Sequence, residues 1–210
     1  MARSKSSRKW LREHFSDPYV QQAQTMGLRS RAAVKLLQIQ DQDRIFKPGQ
    51  TVIDLGAAPG GWCQVAEKAI GPKGRIIALD ILPMDPIAGV EFIQGDFSED
   101  EAYNALIDRL DGQGVDLVIC DIAPNMSGVR SVDQPKAMYL VELAADFARQ
   151  TLRNGGHFLV KIFQGEGTDA LRAQLKKEYT ALKVRKPDAS RDRSRELYWL
   201  ATGFKGSQQK

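Results

Sequence analysis

From Thr51 onward, short apolar runs alternate with stretches of helical periodicity. TVIDL (51–55), RIIALD (75–80), VEFIQG (90–95), VDLVIC (115–120) and HFLVKIF (157–163) have the length and residue types of strands. Residues 181–185 and 196–203 continue that series. Between them 60–70, 99–110, 135–152 and 168–178 carry helical spacing, and 30–42 reads as an earlier helix capped by Ser30. Strands and helices in alternation mean parallel strands joined by right-handed helical crossovers. The expected fold is therefore α/β: a Rossmann-like, doubly wound, mostly parallel sheet of seven strands. Only Lys186–Arg195 separates the last two strands, so these should pair antiparallel. The organisation expected is a basic N-terminal extension over 1–25, one domain over 26–204 and a polar tail over 205–210.

At 210 residues, with 42% hydrophobic and 27% charged side chains, the chain has ordinary globular composition, which excludes global disorder. No apolar run approaches the ~18 residues of a membrane helix. Cys63 and Cys120 are far apart, without a CxxC or a neighbouring histidine. A disulfide framework and a metal site are therefore not expected, and a reducing cytoplasm is.

The net charge of +4 conceals a division. Residues 1–35 sum to +6 and 183–210 to +5, whereas 36–182 sum to −7. Basic ends around an acidic body suit a polyanion held outside and a neutral or cationic ligand inside. Solubilising tails would give the same numbers.

Ligands of such sheets bind at the carboxyl ends of the strands. Asp54, Asp80, Asp96 and Asp121 fall there on successive strands. One such aspartate is commonly a helix cap, but four on one edge invite a second explanation. The first strand turns into a helix through Gly56-Ala57-Ala58-Pro59-Gly60-Gly61-Trp62, close to a dinucleotide fingerprint but with Ala58 in place of its second glycine. A row of carboxylates repels the phosphates of a nicotinamide dinucleotide. It suits the sulfonium, ammonium, ribose hydroxyls and adenine amine of S-adenosylmethionine. Lys161 interrupts an otherwise apolar strand, where an unpaired ammonium is costly. It belongs either to a frayed strand end or to the mouth of the same site, beside Asp121.

Three motifs resemble those of the FtsJ/RrmJ family of ribose 2′-O-methyltransferases. They are Asp54–Trp62, Asp121-Ile122-Ala123-Pro124-Asn125-Met126-Ser127-Gly128 and Val160-Lys161-Ile162-Phe163-Gln164-Gly165-Glu166-Gly167. Leu28–Arg31, Val184–Pro187 and Ser194–Glu196 extend the likeness, which runs from about Trp10 to Gly203. The branch acting on a uridine of bacterial 23S rRNA is the nearest in likeness. The resemblance implies a Lys-Asp-Lys-Glu tetrad at Lys35, Asp121, Lys161 and Glu196. It also implies S-adenosylmethionine contacts at Gly56, Pro59, Gly60, Trp62, Asp80, Asp96 and Asp121. Lys35 and Glu196 enter through the resemblance alone, since periodicity makes them ordinary surface positions. The implied partner is ribosomal RNA within the 50S subunit, with a monomeric enzyme and no membrane.

Lys161 would take the 2′-hydroxyl proton, or would remain charged and steady the oxyanion while Asp121 takes it. Candidate phosphate contacts are Arg3, Lys5, Arg8, Lys9, Arg12, Arg29 and Arg31 at one end. Lys183, Lys186, Arg191, Arg193 and Arg195 are those at the other, with Trp10 and Tyr19 as stacking platforms. Other RNA substrates (tRNA or a cap), a nicotinamide-dependent oxidoreductase and a non-catalytic RNA-binding assembly factor stay open at this level.

Overall fold

Strand alternation divides the core into two layers. In β1 (Thr51–Leu55), Ile53 and Leu55 join one buried cluster, and Val52 joins the other. The computed structural model describes residues 17–191 and 194–206. Trp10, the basic residues at 3–12 and Arg193 lie outside the described residues. Six further strands are β2 (Arg75–Asp80), β3 (Val90–Gln94), β4 (Val115–Cys120), β5 (Leu152–Phe163), β6 (Tyr179–Arg185) and β7 (Glu196–Phe204).

They form one sheet in the order β3-β2-β1-β4-β5-β7-β6. The first five run parallel, and β7 is antiparallel to both β5 and β6. β7 thus inserts between β5 and β6, so its residues pair with those of β5: Lys161 with Tyr198, and Phe163 with Glu196. The chain leaves β1 for β2 and β3 on one side and returns to β4 on the other. That reversal opens a crevice at the carboxyl ends of β1 and β4.

Helices α1 (Pro18–Thr25), α2 (Ala32–Asp43), α3 (Gly61–Ile70), α4 (Asp100–Leu110), α5 (Arg130–Thr151) and α6 (Thr168–Glu178) complete the described fold. α2 and α3 cover the Val52 face, whereas α4, α5 and α6 cover the Ile53 face. β4 is buried along its whole length between the two layers, as a central parallel strand should be.

Three expectations need correction, and the segment expected as a basic extension carries, over residues 18–25, the helix α1. Asp17 caps it by accepting from the Tyr19 amide, and its Ala23 packs with Val34 and Ala189. α2 starts at Ala32 without a side-chain cap, because the Ala33 amide already bonds the Ser30 carbonyl. α5 starts at Arg130 rather than 135. The Asp133 carboxylate accepts from the Ser127 amide and hydroxyl and from the Gly128 amide, and so organises the turn that begins the helix with Pro135 inside it. β5 starts at Leu152 rather than 157, with an irregularity in its pairing between Val115 and Leu117 of β4.

Candidate active site

Gly56 ends β1 with φ +81°, in the left-handed region, and a Cβ there would lie 2.7 Å from the Ile122 side chain. The Gly56 and Ala57 amides both donate to the Leu79 carbonyl (2.9 and 3.2 Å), which brings the turn against the end of β2. Asp80 then ties two loops together. Its Oδ2 accepts from the Ala58 amide (2.9 Å) and its Oδ1 from the Leu82 amide (2.8 Å). Beyond β3, Asp96 Oδ1 accepts from the Ser98 amide and hydroxyl (2.9 and 2.7 Å), and these bonds hold its carboxyl below the usual range. Asp96 Oδ2 remains available.

Gly56, Asp80, Asp96 and Asp121 line one cleft of about 660 Å³, with Ile81, Leu82, Phe97, Pro124 and Leu140 as its apolar walls. Among the described residues Lys136 is the single lysine or arginine along it. Among the described residues no group of three His, Cys, Asp or Glu side chains is placed to hold a metal ion.

The other residues expected at the cofactor stand behind this wall. Trp62 is 3% exposed, its indole N–H donates to the Ala32 carbonyl (2.8 Å), and its ring packs 5.8 Å from that of Tyr198. The Pro59 carbonyl accepts from Arg29 (3.1 Å), and Gly60 faces Arg29, Met84 and Ile87. These three residues shape the turn and do not line the cleft. Asp54, at the end of β1, is likewise no part of it. It is fully buried beneath the turn and accepts from the Cys63 thiol (3.1 Å), with Oδ1 unpartnered. Burial pushes its pKa up to about 7.

All four expected tetrad residues meet. Lys161 lies inside β5 at 8% exposure, so it is not at a frayed end. Its Nζ donates to the Asp121 carbonyl (2.6 Å) and stands 3.1 Å from Asp121 Oδ1. Lys35, on α2, pairs with Glu196 at the start of β7. Burial pushes the Glu196 carboxyl up, but the Lys35 and Lys161 cations outweigh it and hold the group below its ordinary value.

Tyr198 joins the two pairs. Its hydroxyl donates to Asp121 Oδ1 (3.0 Å) and accepts from Lys35 Nζ (3.4 Å). Burial, then Asp121 and Glu196, push the phenol well above its ordinary pKa, so it stays a donor. The sequence reading missed this residue. Its signal was present, since Tyr198 follows Glu196 by two and therefore shares its face of the strand.

Among the described residues, most of the basic candidates for RNA contact already have partners. Arg29 donates to the carbonyls of Pro59, Asp85 and Pro86, and Arg31 pairs with Asp17. Lys183 pairs with Asp43 (3.0 Å), Arg191 lies 3.9 Å from Asp17, and Lys186 donates to the Ser194 and Glu196 carbonyls. Tyr19 is half-buried against the Ala23 cluster, which limits it as a stacking platform. Arg195 is exposed and makes no side-chain bond to another of the described residues.

The family model of FtsJ-like methyltransferases matches residues 28–204. The chain is 60% identical over 206 residues to ribosomal RNA large subunit methyltransferase E of Pseudomonas aeruginosa, covering 98% of this chain and 100% of that protein. The protein of the same name from Alkalilimnicola ehrlichii is 59% identical over 202 residues, covering 96% and 97%. Among solved structures, one described as a ribosomal RNA methyltransferase of Plasmodium falciparum superposes with a TM-score of 0.76 at 31% identity, covering 85% of this chain and 99% of that one. Aeropyrum pernix fibrillarin, crystallised with bound S-adenosyl-L-methionine, shares the fold at a TM-score of 0.55 and 22% identity, covering 83% and 75%.

Proposed function

The chain belongs to the FtsJ-like methyltransferase family, and on that premise we propose that Lys35, Asp121, Lys161 and Glu196 are the tetrad of its methyl-transfer reaction. The protein is an S-adenosylmethionine-dependent methyltransferase of large-subunit 23S ribosomal RNA, acting on a ribose 2′-oxygen. The observation that carries the assignment of the tetrad is the contact of Lys161 with Asp121, a residue that also lines the cleft of Asp80 and Asp96.

The cleft suits this cofactor by its donor set. Three carboxylates among apolar walls match hydroxyls, an amine, an ammonium and a sulfonium, and would repel a pyrophosphate. Asp80 would accept from the ribose hydroxyls, Asp96 Oδ2 from the adenine amine, and Asp121 would face the methionine end. When bound, S-adenosylmethionine supplies a methyl group on a good leaving group, so the protein has to align the acceptor and remove one proton.

Lys161 Nζ is the group that takes the 2′-hydroxyl proton. Asp121 fixes Nζ from two directions, through a backbone carbonyl and a carboxylate. Tyr198 donates to that carboxylate and orients it, and the Lys35–Glu196 pair completes the network on the far side of the phenol. The acceptor is a uridine presented in the 50S subunit, and the enzyme works as a cytoplasmic monomer. Among the described residues no helix is long and apolar enough to cross a membrane.

Isolated large subunits, incubated with the protein and methyl-labelled S-adenosylmethionine, should acquire label that nuclease digestion recovers as 2′-O-methyluridine. Label recovered on a base, or on free 23S rRNA but not on subunits, would overturn the corresponding part of this reading.

A further inference from the structure

Two clefts outside the cofactor pocket meet at the end of β5. One, of about 330 Å³, is lined by Met126, Arg130, Phe163 and Arg195, with Asp133 and both glutamines Gln134 and Gln164 on its wall. The other, of about 600 Å³, shares Arg130, Gln164 and Arg195 and adds Lys186, Thr168 and Asp169. Phe163 links them to the reaction centre. It follows Lys161 by two on the same strand, and Lys161 Nζ stands 5.8 Å from its ring centroid.

The arginines here differ from Arg29, Arg31, Lys183 and Arg191, which are held by other groups of the fold. Arg130 and Arg195 are exposed and, among the described residues, neither is paired with a carboxylate. Of the acids nearby, Asp133 is buried and already takes three hydrogen bonds from Ser127 and Gly128. Among the described residues Asp169 is the one exposed acid in the larger cleft, against Arg130, Lys186 and Arg195. Between the arginines lies apolar surface: Met126 is 53% exposed and Phe163 is partly exposed. Unpaired guanidinium groups beside an apolar slot match a single nucleotide, which has anionic phosphates on either side of a flat base.

We propose that this region is the acceptor-nucleotide subsite, with Arg130 and Arg195 holding the phosphates that flank the target ribose and Met126 and Phe163 contacting its base. The assignment rests on the reading of the protein as an RNA ribose methyltransferase. It gives the substrate strand a path from the larger cleft, past Phe163, to Lys161. Arg29, Arg31 and Lys183 lie outside that path and serve the fold.

The test compares wild type with Arg130→Gln/Arg195→Gln and with Met126→Ala. Filter binding of unmethylated large ribosomal subunits is measured across a salt series, alongside methyl transfer to them and calorimetric affinity for S-adenosylmethionine. Loss of two single-strand phosphate contacts should reduce the slope of log affinity against log salt by about 1.4 in the double variant. Met126→Ala should raise the KM for RNA about threefold to tenfold at nearly constant kcat, as for one lost apolar contact to the base. Cofactor affinity should stay at the wild-type value in both. Unchanged salt slope in the double variant, with wild type transferring methyl normally, would overturn the subsite and leave the enzymatic reading intact. A wild type that transfers no methyl, but whose salt slope still depends on the two arginines, would overturn the reading and support the RNA site.

Discussion

The Lys161 amine meets Asp121 twice, at the backbone carbonyl (2.6 Å) and at Oδ1 of the carboxylate (3.1 Å). The pairing of Cys120 with Val160 places residue 121 level with residue 161 on the neighbouring strand. The position of the amine is therefore set by sheet register as well as by charge.

Loss of that amine should be felt in turnover and little in cofactor binding. Lys161→Ala is expected to lower single-turnover methylation at least ~100-fold, the scale of general-base loss, with cofactor affinity nearly unchanged. Lys161→Arg should be almost as poor, because a guanidinium does not release its proton near neutral pH. Recovery of most activity by arginine would transfer the base role to Asp121.

Asp80 and Asp96 should each matter to cofactor binding and to the loop that carries them. Either alanine substitution removes a charged acceptor from a partly enclosed cleft, an expected loss of ~1–3 kcal/mol in calorimetry. Asp80→Ala additionally frees the Ala58 and Leu82 amides, so it should also lower the melting temperature. Asp96→Ala frees the Ser98 amide and hydroxyl, so it too should lower the melting temperature. Equal cofactor affinity in both variants and wild type would remove these residues from the site.

Trp62 offers a contrast, because its indole faces the core. Trp62→Phe should cost about 1 kcal/mol of stability for the lost hydrogen bond to the Ala32 carbonyl and leave cofactor affinity unchanged. Denaturant unfolding and calorimetry on the same preparation check both halves. A large loss of cofactor affinity at unaltered stability would return the indole to the pocket.

Asp54 should give the protein a pH dependence of its own. Its pKa of about 7 in the fold lies above the ordinary value of 3.8, because burial penalises the charged form. A raised pKa means the folded state holds more protons than the unfolded one over that interval. The group's contribution is complete below about pH 4 and is lost as pH rises through 7. Asp54→Asn should flatten that decline, gaining ~1–3 kcal/mol relative to wild type between pH 5 and pH 8 in urea unfolding. Parallel stability curves for the two proteins would show that the buried carboxyl does not titrate there.

How much of this was legible depended on whether local pattern or distant packing decided each feature. Strand identity followed from short apolar runs, and the parallel architecture from their alternation with helices, because both express which faces must be buried. Lys161 stood out for the same reason: a charge inside an apolar strand conflicts with burial unless a partner stands beside it. Helix starts were less legible. The reach of Asp133 back to Ser127 and Gly128 replaced a conventional cap, and α5 began five residues before its expected start.

The site was divided in the same way. Local sequence alone brought Gly56, Asp80, Asp96 and Asp121 to the carboxyl edge, since each ends or follows a strand. The contact of Lys35 with Glu196 joins residues from the first and last parts of the described chain, and only the insertion of β7 beside β5 brings them together. Trp62 and Asp54 turned inward because the residues around them pack that way. Which arginines stayed free was decided by where Asp17 and Asp43 came to lie. The sequence by itself determined the elements and the edge at which chemistry would collect, because those depend on burial period and strand ends. The tertiary structure decided which charges are paired, because pairing depends on distances between elements that no local pattern encodes.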